Sequence, residues 1–184
     1  MTIKTAFPPT PSLFALVKRV PGSVWPILGA CVLYVIISQL ILAAHPEAEP
    51  RFRLSLDPIL TASLAIQIHV VAALSAFVVG VILLLAPKGL RFHKTLGWIW
   101  VTAMAVTAVS SFFLTGLMGS SLSPIHALSA WTMIGLPFGI AAIRRRDIRQ
   151  HRHSMTGMFV GGIVIAGLFS FLPGRLMWDV FFAA

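Results

Sequence analysis

Five long apolar stretches constrain this chain more than any other feature of its sequence. Crossing the ~30 Å hydrocarbon core of a bilayer takes about 20 residues of α-helix, and each stretch approaches that length. Backbone amides find no water at that depth, so helices must satisfy them internally. The chain is therefore predicted to be an all-α polytopic membrane protein with five transmembrane helices. The predicted spans are Val24–Ala44, Pro58–Ala86, Thr95–Met118, Pro124–Ile143 and Met155–Leu172.

Composition agrees with a bilayer environment. Hydrophobic residues make up 58% of the 184 residues and charged residues only 10%, which excludes an ordinary soluble domain. The formal net charge is +9, but the basic residues fall in short segments beside the predicted helix ends. Membrane lipid with anionic headgroups is their simplest partner, and no nucleic acid is expected. The sequence offers no paired carboxylates or phosphate loop for hydrolysis or phosphoryl transfer.

Lysine and arginine also predict how the spans are oriented. Of the 14 such residues, 11 fall on one side of the predicted spans and only Arg51, Arg53 and Arg175 on the other. Positive residues concentrate on the cytoplasmic side of membrane proteins. We therefore expect a bacterial inner-membrane protein with a cytoplasmic amino terminus and a carboxyl terminus outside.

These spans give the predicted organisation of the chain. Helices two to five are expected to form a four-helix bundle, with the first helix outside it. An Ile-His pair occurs early in the second span and again in the fourth. In each case the chain crosses to the inner side and the next helix back begins beside another histidine, so the pattern predicts two repeated hairpins. The predicted parts are a cytoplasmic or interfacial segment 1–23, a first transmembrane helix 24–44, the bundle 58–172 and an outer tail 173–184.

Four histidines in this bundle fall into two levels. His69 and His126 each lie 17 residues before the inner end of their span, which places both imidazoles roughly 25 Å above the inner helix ends. His93 and His151 each stand just before a helix that starts at the inner face. Ionisable side chains at membrane depth are costly and are usually kept there for function.

Two level pairs of neutral imidazoles match the requirements of b-type haem. The iron takes two axial nitrogens, and the ring needs an apolar slot between helices. One haem b at each level is therefore predicted. Small residues follow His69 at Ala73, Ala76 and Gly80, and such a seam accommodates either a flat macrocycle or a closely packed helix.

Cationic side chains lie near both predicted haem levels. Arg175, which follows Leu172-Pro173-Gly174, is predicted to neutralise an outer haem propionate or a quinone oxygen. Lys94 and Arg152 are placed to do the same at the inner level. Contact with lipid phosphate is the alternative role for all three residues.

The histidines also have a purely structural interpretation. His69 sits about three turns into its span, where Ser129, Gln67 or a backbone carbonyl would satisfy its ring by a hydrogen bond. His93 and His151 lie among basic residues at an interface, where a histidine without a ligand costs little. A small-residue seam is likewise common in plain helix packing.

Several short motifs resemble a known family. The His-[Lys/Arg]-x-x-[Gly/Met] elements at His93 and His151, the Ser-Pro-Ile-His sequence ending at His126 and the Leu-Pro-Gly-Arg sequence ending at Arg175 occur in the order found in the domain-of-unknown-function 2306 family. The resemblance covers His69 to Arg175. It implies a bacterial membrane protein and no particular reaction.

The placement of the histidines is also similar to that in transmembrane two-haem cytochromes that pass electrons from ascorbate to ferric iron. This similarity implies that His69 and His126 hold an outer haem and that His93 and His151 hold an inner one. The chain departs from those proteins in a shorter spacing between the levels. It also lacks an evident ascorbate-binding cluster of lysine and arginine.

Three functions therefore remain open from the sequence. The first is an electron carrier that exchanges electrons with quinone, iron or an oxygen species. The second is a cofactor-free accessory or assembly subunit of an oligomer or larger membrane complex, in which the histidines are structural. The third is a metal or proton conduit, which is less favoured because no carboxylate lies within a predicted span.

Overall fold

The structure is a computed structural model that describes residues 24–45, 51–114 and 124–183. Almost every described element is helical, which confirms the all-α prediction. A π-helix, Phe159–Ile165, continues α6 into α7 without a break, and two short strands pair near the carboxyl end. The elements are α1 (Val24–Ala44), β1 (Arg51–Phe52), α2 (Asp57–Leu60), α3 (Leu64–Leu85), α4 (Arg91–Ser111), α5 (Pro124–Arg144), α6 (Ile148–Met158), the π-helix, α7 (Ala166–Phe169), α8 (Leu176–Phe181) and β2 (Phe182–Ala183).

Four helices of the described chain are long and apolar enough to cross a membrane. The chain is thus an integral membrane protein, as its sequence predicts. The helix α4 has 21 residues but is less apolar, because Arg91 and Lys94 lie in its first turn and Ser110 and Ser111 at its end. A fifth crossing therefore stays a prediction. The four apolar helices are Val24–Ala44, Leu64–Leu85, Ile125–Arg144 and Ile148–Phe169.

Helix boundaries differ from the predicted spans where polar side chains intervene. The second predicted span is split, because the chain leaves α2 at Thr61 and begins α3 only at Leu64. The Gln67 side-chain amide bridges this break by donating to the carbonyls of Leu60 and Ala62 at 3.0 and 3.1 Å. Hydropathy alone does not register such a break, since the residues on both sides are apolar.

The last apolar helix starts earlier than predicted. Its first turn is capped by Asp147, whose carboxylate accepts from the Gln150 backbone amide at 2.9 Å. Arg146 precedes the cap with a φ of 63°, a left-handed conformation that turns the chain sharply out of α5. The tight turn packs α6 against α5.

The four central helices pack in a ring. Each of α3, α4, α5 and α6 contacts the next helix, and the π-helix returns to α3 and closes the ring. In this order α3 and α5 lie on opposite sides. The helix α1 packs outside the ring, against the π-helix and α7. The repeat relating the two hairpins stays a prediction.

One half of the ring is filled by large side chains. We use the terms inner and outer for the predicted orientation, and this is the inner half. Trp100 is 4% exposed, Met158 1% and Phe159 7%. A Cβ added at Gly80 would lie 2.5 Å from the Phe159 ring and 2.9 Å from Nε1 of Trp100. The glycine therefore provides the space in which these aromatic rings pack.

The outer end is covered by two segments that are distant in sequence. The strands β1 and β2 pair antiparallel, with Arg51 opposite Ala183. The Ser55 backbone amide then donates to the Val180 carbonyl at 2.9 Å, and Val180 is only 2% exposed. The segment predicted as an outer tail is thus folded against the bundle.

Candidate functional site

His69 is held in a fixed orientation by the neighbouring helix. Its Nδ1 lies 3.0 Å from the Thr107 carbonyl oxygen and 3.1 Å from the Ser110 hydroxyl. A carbonyl only accepts hydrogen bonds, so Nδ1 carries the proton and donates it. The other ring nitrogen, Nε2, then holds a lone pair. Of the structural partners considered from sequence, the backbone carbonyl is correct, since Gln67 bonds elsewhere and Ser129 contacts Ser111.

A group of buried and half-buried hydroxyl side chains continues from His69 across the ring. We call Thr107, Ser110, Ser111, Ser129 and Thr132 the hydroxyl cluster. Ser111 and Ser129 share a hydrogen bond between α4 and α5 and are 1% and 5% exposed. The Thr132 hydroxyl donates to the Leu128 carbonyl at 2.9 Å, as the Thr107 hydroxyl does to Ala103 at 2.8 Å.

Sequence reasoning missed this cluster. Serine and threonine at 107, 110 and 111 in α4, and at 129 and 132 in α5, recur at helical spacing, and this periodicity is the signal that marks one polar face.

A cavity of about 500 Å³ lies in the outer half of the ring, within the usual size range of small-molecule sites. Apolar side chains form most of its lining. His69 and four members of the hydroxyl cluster, Thr107, Ser111, Ser129 and Thr132, contribute polar atoms. An apolar cavity with a few converging polar groups is the usual form of a ligand site.

His126 does not share this cavity with His69. The residues of α5 that line it are Ile125, Leu128, Ser129 and Thr132, and His126 lies about 100° around the helix from Ile125. Its ring is instead 5.8 Å from that of Phe112, between centroids, and the residue is 9% exposed. Thus the two histidines of the outer level are not brought together at the cavity.

The inner histidines are in a different situation. Nδ1 of His93 is buried and has no hydrogen-bond partner within the described part of the chain. Nδ1 of His151 donates to the Gly139 carbonyl at 2.9 Å, which leaves Nε2 with a lone pair. His93 lies ahead of the predicted span. Burial lowers its pKa most, and a positive charge on His151 or Lys88 lowers it further. His93 on α4 and His151 on α6 thus interact electrostatically.

The small-residue seam below His69 has two environments. Ala73 lines the cavity, whereas Ala76 is 0% exposed in the packed core and Gly80 faces the Phe159 ring. The outer part of the seam borders open space and the inner part is filled by packing. Sequence alone could not separate these environments, because Phe159 comes from a distant segment.

Arg175 lies at the outer end of the bundle, immediately before α8. Its backbone amide donates to the Leu172 carbonyl at 3.0 Å, and its carbonyl accepts from the Asp179 amide at 3.1 Å. Met177, two residues further, lines the cavity. Arg175 is thus near the outer end of the cavity but is not among the residues that line it.

Metal binding by larger clusters finds no support in the described residues. Within residues 24–45, 51–114 and 124–183, no three of histidine, cysteine, aspartate and glutamate come together as a metal site. A haem iron takes only two axial nitrogens from the protein, so this finding leaves the histidine pairs as candidates.

The comparisons with known proteins identify a family. The family model described as "Predicted membrane protein (DUF2306)" matches residues 66–178, which is more than half of the chain. The match extends from the start of α3 into α8 and so includes all four ring histidines and the cavity lining apart from the residues of α1. No curated protein and no solved structure matches the chain.

Proposed function

We propose that this chain, which belongs to the DUF2306 family of predicted membrane proteins, is a membrane electron carrier that binds b-type haem. The inner pair, His93 and His151, is the site that the geometry supports best. A second haem at the outer level, on His69 and His126, follows from the sequence and is the less supported part of the proposal.

The buried, unpartnered nitrogen of His93 is the observation that carries this proposal. A buried polar atom without a partner costs free energy, and an iron ligand bond would satisfy it. His151 interacts electrostatically with His93, and its Nδ1 is bonded to a backbone carbonyl, as is usual for histidines that bind metal through the other nitrogen. Lys94 and Arg152 are exposed near this level, where haem propionates need cations.

The outer pair meets only part of the same requirements. His69 has the carbonyl-bonded Nδ1 of a metal ligand and lines a cavity. His126 packs on Phe112, so its ring must turn toward the cavity before it could share an iron with His69. Arg175 would then be the nearest cation to an outer propionate.

Haem, when bound, supplies a reversible one-electron couple. This chain would supply the imidazoles, and the Gly139 carbonyl orients that of His151. We also propose that α4 crosses the bilayer as the fifth span, because it packs between α3 and α5. Quinone, hydroquinone or another redox partner would then exchange electrons with the chain.

Visible spectroscopy of purified variants tests this function. We expect the dithionite-reduced minus oxidised spectrum of the protein to show a b-type α-band, and His93→Ala and His151→Ala to remove its inner-haem component. His153→Ala is the matched control, because His153 is exposed on the same helix as His151. Protein that shows no α-band after expression with added haem precursor contradicts the proposal.

A cofactor-free accessory subunit is the second candidate, and glycine packing favours it. A Cβ at Gly135 would lie 2.9 Å from Sδ of Met158, and one at Gly139 would lie 2.5 Å from Cε of Met155. These glycines are explained by helix packing and need no cofactor. This function predicts colourless protein that co-purifies with a partner subunit.

A further inference from the structure

The outer cavity has one wall that is only a single helix thick. Ile27, Ala30 and Cys31 of α1 line it, although α1 lies outside the ring. Only Ala30 and Ser38 are buried among the residues of α1, and the Tyr34 hydroxyl donates to the Phe171 carbonyl at 3.0 Å. This helix therefore covers the side of the cavity with few contacts.

The gap that α1 covers arises from how α3 meets the π-helix. In the inner half the two are in direct contact, with the Phe77 and Phe159 rings stacked at 6.1 Å. In the outer half, Ala73 of α3 and Val164 of the π-helix both line the cavity. Cys31 lines the cavity and is also exposed on the surface of the protein. A molecule dissolved in the bilayer thus has a short path to the cavity beside Cys31.

The lining defines the chemistry of a ligand. It contains no charged side chain among the described residues, so an uncharged molecule is favoured. The hydroxyl protons of Thr107 and Thr132 are used within their own helices, and Nδ1 of His69 already donates to Thr107. The polar side of the cavity therefore offers hydrogen-bond acceptors, and the ligand must donate.

We propose that this cavity binds the ring of a lipid-soluble hydroquinone that enters from the bilayer beside α1. A phenolic hydroxyl donates to Nε2 of His69, the flat ring contacts the apolar lining, and the tail remains in the lipid. The inference concerns the electron partner of the chain and does not depend on haem at His93 and His151. It replaces the less supported outer haem, because both ligands would use Nε2 of His69.

Alkylation of Cys31 locates the ligand, because it is the only cysteine in the chain. In detergent-purified protein, a benzohydroquinone with a decyl tail should slow the reaction of Cys31 with N-ethylmaleimide about fivefold or more. A Cys31→Ala/Gly29→Cys variant is the matched control, since a Cβ at Gly29 meets nothing within 4 Å; its rate should not change. An equal rate for Cys31 with and without the hydroquinone overturns the proposal.

Two variants test the contacts themselves. His69→Phe removes the acceptor and should weaken binding of the same hydroquinone about tenfold by calorimetry. Ala73→Leu fills the cavity while leaving the His69 hydrogen bonds in place, and should weaken binding at least as much. Unchanged affinity in a folded, monodisperse Ala73→Leu protein overturns the proposal even where His69→Phe does not fold.

Failure of the haem function and failure of hydroquinone binding give different results. His93→Ala should lose the α-band and keep hydroquinone binding. Colourless protein that still binds hydroquinone contradicts the haem function alone. Protein that carries two haems per chain and does not bind hydroquinone overturns the present inference alone, because the outer haem then occupies the cavity.

Discussion

The inner and outer halves of the ring are built from the same helices but in opposite ways. In the inner half, bulky side chains from α4 and the π-helix fill the space that Gly80 leaves, and Met158 is 1% exposed. In the outer half, α3, α4 and α5 carry histidine, serine and threonine around a cavity of about 500 Å³. One half is tightly packed and the other is polar and incompletely filled.

This difference separates stability from function within one bundle. Helices in a bilayer gain little from the hydrophobic effect, so close packing at small residues holds them together. Polar groups at membrane depth are expensive and are retained where they act on a ligand. The inner half therefore holds the helices together, and the outer half leaves space for a small molecule.

The largest effect is expected from opening the packed half. Met158→Ala leaves a cavity between α5 and the π-helix and should lower the free energy of unfolding by about 3 kcal/mol. Met133→Ala is the matched control, since Met133 is 39% exposed on the lipid side of α5. Unfolding in mixed detergent micelles, followed by circular dichroism, measures both. Equal losses of unfolding free energy for the two variants would contradict the division into a packed half and an open half.

A smaller effect is expected from overfilling the same half. Gly80→Ala places a Cβ against Phe159 and Trp100 and should cost about 2 kcal/mol of unfolding free energy. Gly97→Ala, where a Cβ meets nothing within 4 Å, should not destabilise the protein. A Gly80→Ala protein as stable as the parent would show that the rings have room to move.

The smallest effect is expected in the polar half. Ser129→Ala removes the hydrogen bond between α5 and Ser111 and should lower the unfolding free energy by about 0.6 kcal/mol, typical of such bonds in membranes. Ser75→Ala is its control, because Ser75 is exposed and donates only to Val71 of its own helix. A loss as large as that of Met158→Ala would mean that the hydroxyl cluster is itself a main stabilising element.

Much of the fold could be predicted from sequence because run length and hydropathy report directly on membrane crossing. The first span ends at Ala44 as predicted, since it is uniformly apolar up to the polar residues that follow; its predicted start, Val24, is also the first residue of that described segment. The sequence did not predict the split before α3, and it predicted α4 as a full span although α4 is less apolar than the other long helices. The break at Thr61 depends on local turns. The polar groups of α4 lie at its two ends, with Arg91 and Lys94 exposed in the first turn and Ser110 and Ser111 buried in the last. The predicted end of the third span, Met118, lies outside the described residues.

The sequence could predict which types of residue form the site, but not the direction in which each side chain points. His126 is buried and His69 is half-buried. Their helical phase relative to the neighbours is set by tertiary packing, and it separates His126 from the cavity. The hydroxyl cluster as a whole was not predicted, because serine and threonine are nearly neutral in hydropathy. The cavity itself depends on α1, for which the sequence suggested no role.

The π-helix sets the rotation, about the helix axis, of the segment that follows it. A wide turn of this kind accommodates one residue more than a regular α-helix does, and each residue corresponds to about 100° of rotation. Everything after Ile165, including Ser170 and Met177, therefore owes its azimuth to that single additional residue. A shortened homologue lacking it would present a different side of its final segment to the interior, even if every other amino acid were identical.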